Sequence, residues 1–296
     1  MRRGHGERSL ISQRPVADGA DGRSWAVVAI LRQERAPNFD CMIVFISSIR
    51  HPLNNNSYER VLELASRTLA SVCSQVSDDY RVLIVCNEVP SLDFSHPRVQ
   101  FLRVGFPPPS RRPSPNLLVE EVRLDKGCKL LVGLIHAKRL TPTHVMFFDA
   151  DDFLSNRIAG FVRQKVLHHG WFVNAGYVYN ASGNTLLTLD DGFHTRCGTC
   201  YIVNISLLAV PSDFPADASQ ERILSHFGKP FVCELLGSHR FLQDHLSKNR
   251  TPLEPLPFRG VVYHAGHGEN WTGSFGFTKR LPKVALTEEI KREFCL

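Results

Sequence analysis

The run Cys41–Ser47 is apolar at almost every position. That is the pattern of a strand buried on both faces, and therefore of a parallel sheet. Such a sheet needs covering helices and crossover connections, and the following segments supply both. Ser57–Ser74 places Leu62, Ala65, Leu69 and Val72 on one helical face, with Asn56 and Glu59 at capping-box spacing. Tyr80–Cys86 is a second apolar strand and Val99–Val104 a weaker third. Residues 126–140 form a helix whose core face carries Leu130, Leu131, Leu134, Ile135 and Ala137, and a strand in THVMFFDADD follows. The alternation predicts an α/β domain with a mainly parallel central sheet, right-handed crossovers and flanking helices.

The second half is less regular. A helix is expected at about 156–168. Trp171–Asn180 and Thr185–Leu189 read as an accessory hairpin turned at Ala181–Asn184. Then come a strand at Cys200–Asn204, a helix ending near Phe227, another at His239–Lys248 and a strand at Gly260–Tyr263. Residues 105–116 (GFPPPSRRPSPN) read as a long Pro-rich basic loop, a type that often carries function. Residues 1–40 are polar, Gly- and Arg-rich and aperiodic, and are expected to stay disordered. Met42 opens the first strong strand and is a candidate for the natural start. The domain is expected to span 41–296.

Charge and cysteine content narrow the function classes. The net charge is +6, but the first 40 residues hold seven basic and five acidic residues, so only +4 remains for the other 256. That surplus does not make a nucleic-acid stripe. No window approaches the ~18 consecutive apolar residues of a membrane span, and no secretory leader is evident. The expected location is cytoplasmic, with peripheral contact at the inner membrane face left open. The eight cysteines, several in apolar runs such as those of Cys41, Cys86 and Cys233, read as reduced core thiols. Cys197 and Cys200 form a lone C-x-x-C with His194 three residues earlier. Without a second pair it does not make a structural zinc site, and the two thiols are expected to be half-buried on a loop and strand.

The sharpest chemical feature is Phe147-Phe148-Asp149-Ala150-Asp151-Asp152. In an extended segment Asp149 and Asp151 project to one side. Two carboxylates at the end of a buried strand repel unless a hard divalent cation neutralises them, leaving positions for phosphate. The crevice beyond the strand ends is where open α/β sheets bind ligands. Asp152 points elsewhere, to a sugar hydroxyl or a helix N-terminus. The plainer reading is that the acids cap the next helix.

Across residues 42–275 the chain resembles the family 2, GT-A-fold glycosyltransferases. The resemblance rests on the apolar first strand, the TLASVCSQ helix end (Thr68–Gln75), the polar exit of the second strand and the KG…GL helix leading into VMFFDADDFLS. It implies a single GT-A-like (Rossmann-like) domain, with 41–152 as the nucleotide-binding half and 153–296 as the acceptor half. By the resemblance Asp149 and Asp151 hold Mn²⁺ or Mg²⁺ against a nucleotide-sugar diphosphate. His264 is the later metal-binding histidine, with His267 as runner-up. The general base of an inverting reaction falls on Asp244, in a Gln243-Asp244 pair where the family often has Glu-Asp, and Glu234 is the alternative. Ser47 and Arg50 in the first exit loop, and Glu88 after the second strand, take the nucleoside positions. Arg123 and Lys126 reach diphosphate oxygens, and Gly198 lies in an acceptor loop that lets backbone approach ligand. Trp271 is a weak candidate for an acceptor platform, and Trp171, Phe172, Tyr177 and Tyr179 read first as packing residues.

The resemblance thus implies a metal-dependent glycosyltransferase. Its partners would be a nucleotide-sugar donor and a glycan, lipid-linked or small-molecule hydroxyl acceptor. Two other classes compete. A nucleotidyltransferase wants a Gly-rich basic loop after the first strand, and SSIRHPLNNN has no glycine. A non-catalytic nucleotide- or glycan-binding module would bind without turnover.

Overall fold

In the computed structural model, residues 42–110, 115–180, 185–270 and 276–296 are described. The extension 1–40, the hairpin turn at 181–184 and Trp271 lie outside them. In chain order the first half contains β1 (Ile43–Ser48), α1 (Tyr58–Val72), β2 (Tyr80–Cys86), β3 (Val99–Arg103), α2 (Pro115–Arg139) and β4 (His144–Asp149). Next come β5 (Phe153–Leu154), α3 (Ile158–Arg163), β6 (Gly170–Phe172), β7 (Gly176–Asn180), β8 (Thr185–Leu189) and β9 (Tyr201–Asn204). The last part holds α4 (Gln220–Phe227), a π-helical segment (Pro230–Leu236), α5 (Leu242–Lys248), β10 (Glu254–Pro255), β11 (Val261–Ala265), β12 (Lys283–Val284) and α6 (Glu288–Phe294).

The central sheet has the order β10-β6-β9-β4-β1-β2-β3. Strands β1 to β4 are mutually parallel, while β9 runs antiparallel to both β4 and β6. The continuous apolar character of β1 has its cause here: Ile43, Val44, Phe45 and Ile46 are all buried between layers. This is the predicted α/β architecture, a mainly parallel central sheet flanked by helices. Because the four strands share a direction, their carboxyl ends open on one edge. Ser48 stands beside Val85 on one side and Asp149 on the other.

A second sheet, in the order β12-β8-β7-β11-β5, contains the predicted hairpin, with β7 and β8 antiparallel from Gly176–Leu189 to Asn180–Thr185. Its first strand is shorter than expected. Trp171 belongs to β6 in the central sheet, and the chain changes sheets at residues 173–175. Asn174 makes the change, its amide group binding Asp191 Oδ1 at 2.9 Å and accepting Gly192 N–H at 3.1 Å. Trp171 packs flat on His168 and edge-on against Phe161, as a core aromatic.

Several helix starts differ from expectation, α5 beginning at Leu242 and not His239. The cap of α1 is Ser57, whose hydroxyl accepts the Arg60 N–H. Asn56 is engaged elsewhere, its N–H on Glu269 and its side-chain amide on Gly268 O. Helix α2 begins at Pro115, not 126, so the last two residues of the expected loop 105–116 and the residues after them are helical. Proline at a first helical position is compatible with a helix start. Gly127 lies inside this helix because it packs against the π-helical segment: a Cβ there would stand 2.0 Å from Val232 O. The core face from Leu130 to Ala137 is buried as predicted. Among the described residues the seven cysteines are free thiols, and no helix is long and apolar enough to cross a membrane.

Candidate functional site

Asp149, Asp151 and Asp152 sit where β4 leaves the sheet. A carboxylate oxygen from each lies within 4.8 Å of the others, a group able to hold a metal ion. Three acids this close need compensation, and each receives it differently. Asp149 pairs with the Lys126 ammonium of α2. Asp151 Oδ2 accepts from His267 Nε2 at 3.1 Å. Asp152 is buried, its Oδ2 accepting from Thr199 Oγ1 at 2.5 Å and Cys197 Sγ at 3.2 Å, its Oδ1 from the His264 N–H at 3.0 Å. Asp152 therefore fastens the acidic loop to β11 and to the 197–199 segment, which is neither of the roles expected for it.

The electrostatics follow this division. Burial and the two neighbouring acids push the Asp152 carboxyl well above its usual range. Burial acts upward on Asp151, but the His267 hydrogen bond together with the charges of His267, Arg50 and His264 outweighs it and holds that carboxyl below its usual value. Burial works against the Lys126 ammonium, but the charge and hydrogen bond of Asp149 together with the charges of Asp151 and Asp152 overcome it, raising the amine's pKa. Glu269 N–H donates to His267 Nδ1 at 3.2 Å, so His267 presents an Nε2–H to Asp151.

The acidic loop is braced on both sides. Ser71 on α1 accepts the Leu154 N–H and donates to Leu154 O. Gln75 donates to Ser155 O and accepts the Ala159 N–H. These two residues of the TLASVCSQ segment thus clamp the chain just after the acids. Opposite them, Gly198 abuts Asp149, and a Cβ there would come within 2.2 Å of Asp149 Oδ2. A crevice lined by Lys126, Asp149, Gly198, Ser238 and His239 opens beside the pair. Burial and the Lys126 charge lower the His239 imidazole to about 4.

The structure sorts the other sequence candidates. Ser47 is fully buried, and its hydroxyl donates to Phe148 O at 2.6 Å. This is a correction: Ser47 ties β1 to β4 and has no side-chain surface for a nucleotide. Arg50 is half-exposed at the same edge and bonds the Glu269 backbone oxygen at 2.8 Å and its carboxylate at 3.4 Å. Glu88 is exposed just past β2, beside buried Asn87. Arg123 lies on α2 where the π-helical segment ends, its carbonyl against Gly237. Asp244 is exposed on the first turn of α5, and Glu234 is exposed on the π-helical segment. Cys197 and Cys200 are fully buried, not half-buried, Cys200 being a start-of-strand core residue.

His264 is buried between Phe153 and Tyr179 with its ring 4.8 Å from that of His267. Among the described residues neither of its ring nitrogens has a hydrogen-bond partner. Burial and the His267 ring lower it to about 4, while the Asp151 charge pulls the other way. Glu269 is the main residue the sequence reading missed. Its buried carboxylate accepts the Ser57 N–H at 2.8 Å and the Asn56 N–H at 3.2 Å. It thereby joins the start of α1 and Arg50 to His267 and, through it, to Asp151.

No family model matches the chain, and no curated protein matches it. Among solved structures it is similar to 4-diphosphocytidyl-2C-methyl-D-erythritol synthase from Anaerococcus prevotii, with 10% identity and a TM-score of 0.34, over 81% of this chain and 94% of that one. It is similar to the galactosyltransferase LgtC with 12% identity and a TM-score of 0.34, over 85% of this chain and 99% of that one. Likeness this remote carries no chemistry.

Proposed function

We propose that the chain is a metal-dependent glycosyltransferase of the GT-A type, moving a sugar from a nucleotide-diphosphate sugar to a hydroxyl acceptor. The observation that carries this reading is the set of three carboxylates at the carboxyl end of β4, within 4.8 Å of one another and beside a crevice. Their oxygen donors suit Mg²⁺ or Mn²⁺. The nitrogens of His264 are buried and unpartnered among the described residues, and an imidazole suits Mn²⁺, but His264 is outside the group whose ligand atoms lie within 4.8 Å of one another. On this reading Asp149, Asp151 and His264 hold the metal, with His267 orienting Asp151. When bound, the metal stabilises charge developing on the diphosphate leaving group.

The chain's own residues do the rest. Arg50 and Glu88 meet the nucleoside at the β1 and β2 exits, and Lys126 and Arg123 meet the diphosphate. Gly198 leaves room beside Asp149, and Asp244 takes the acceptor's proton in an inverting transfer. Residues 41–152 then form the donor half and 153–296 the acceptor half.

Thermal shift with UDP-, GDP- and dTDP-sugars, with and without Mn²⁺, tests the donor site. Wild type gains Mn²⁺-dependent stabilisation from one of them, and Asp151→Ala loses it. Undiminished stabilisation in Asp151→Ala overturns the metal assignment. With hydroxyl acceptors, nucleoside diphosphate release is expected. Pyrophosphate release from a nucleoside triphosphate offered with a sugar phosphate would instead establish a nucleotidyltransferase. Asp244→Asn keeps donor binding and loses ~10²–10⁴-fold in transfer; retained turnover moves the base to Glu234.

A further inference from the structure

We propose that Lys126 is a resident countercation that pairs with Asp149 and passes to the donor's diphosphate when metal and nucleotide bind together. The proposal rests on the metal-centre reading above. Of the three acids, Asp151 and Asp152 are held by imidazole, hydroxyl, thiol and backbone donors, whereas Asp149 alone is paired with an ammonium. That ammonium feels the charge of all three acids. It therefore stands in for part of the positive charge a divalent ion would bring.

The two cations cannot both keep Asp149 without repulsion. A metal arriving alone must displace Lys126 and leave the ammonium without a partner. A diphosphate changes that, because its oxygens offer the ammonium a new site as the metal takes the carboxylate. The pair is built to let go. Both side chains are about a third exposed, at 28% and 32%, and a crevice adjoins them. The lysine stem is flexible and its head is a compact point charge. Metal and diphosphate therefore bind cooperatively, each strengthening the other by the same factor.

The test is Mn²⁺ binding, followed by electron paramagnetic resonance or calorimetry, for wild type, Lys126→Gln and Lys126→Arg, alone and with UDP or GDP. For Lys126→Gln, Mn²⁺ alone is expected to bind about 10-fold tighter than to wild type, and the enhancement given by nucleoside diphosphate shrinks by about the same factor. Lys126→Arg keeps the cation and stays near wild type. Circular dichroism melting checks that the variants are folded. If Mn²⁺ binds all three proteins with nucleoside diphosphate, but binds folded Lys126→Gln alone no tighter than wild type, the handover is overturned and the metal centre stands. If wild type and Lys126→Gln bind no Mn²⁺ with or without UDP or GDP, the metal-centre reading is overturned and the handover with it.

Discussion

Lys126 and Lys129 lie one turn apart on α2, and each faces an aspartate. Lys129 has no exposed side-chain surface; its ammonium donates to Asp125 at 2.8 Å and to Ile49 O at 3.0 Å. It fastens α2 to the exit of β1. Burial pushes the Asp125 carboxyl up and the Lys129 amine down, so both charged forms persist only through each other. Lys126 sits at the crevice mouth with a partly exposed partner. The same chemistry on the same helix thus serves two ends, and the separating variable is water. A dry pair locks an element in place, and a wet pair can exchange partners.

The largest expected effect tests the dry pair. Lys129→Met strands a buried carboxylate, and urea unfolding should show a loss of about 3–5 kcal/mol. Lys126→Met should cost under about 1 kcal/mol, the range of exposed pairs. Converting both partners, Asp125→Leu with Lys129→Met, should recover most of the first loss, because no charge is left buried. Equal losses at the two lysines would erase the distinction between them.

This distinction was not visible in the sequence, and the reason is physical. Apolar runs report burial directly, so β1, β2, β4 and the core face of α2 could be read from composition and period alone. A lysine reads as solvated until its depth is known, and Lys129 lies under a loop 80 residues earlier in the chain. The acids at the end of β4 were legible because a strand pattern runs straight into them. Their supports were not: Glu269 meets Ser57 and Arg50 across more than 200 residues, and Thr199 meets Asp152 across 47. The early start of α2 is hidden because it falls at the end of a Pro-rich run that reads as loop, and Gly127 inside the helix marks a close helix contact. Ser47 looked like a ligand contact because it ends a strand at the right edge, but register turns its hydroxyl onto β4.

The next effect tests the wet pair. Gly198→Ala would place a Cβ 2.2 Å from Asp149 Oδ2, so the carboxylate must turn away from its present seat. Mn²⁺-dependent affinity for UDP or GDP should fall about 10–100-fold, as for disturbed support of a metal ligand. Unfolding free energy should change by less than in Lys129→Met. If instead stability collapses and Mn²⁺ binding in the remaining folded protein is intact, Asp149 is a structural anchor like Asp125.

Salt gives the smallest and most direct separation of the two pairs. Raising ionic strength from about 0.1 M to about 1 M shortens the Debye length from about 10 Å to about 3 Å. Ions reach charges that water reaches, so screening should act on Lys126–Asp149 and spare Lys129–Asp125. The stability difference between wild type and Lys129→Met should therefore hold constant across that range. The smaller difference between wild type and Lys126→Met should shrink by a few tenths of a kcal/mol, since an exposed pair has little more to lose. Chloride also competes for a freed ammonium, so the Mn²⁺ advantage of Lys126→Gln over wild type should narrow along the same series. A salt-dependent Lys129 effect would mean that water enters beneath α2, and burial would no longer explain why one lysine holds and the other lets go.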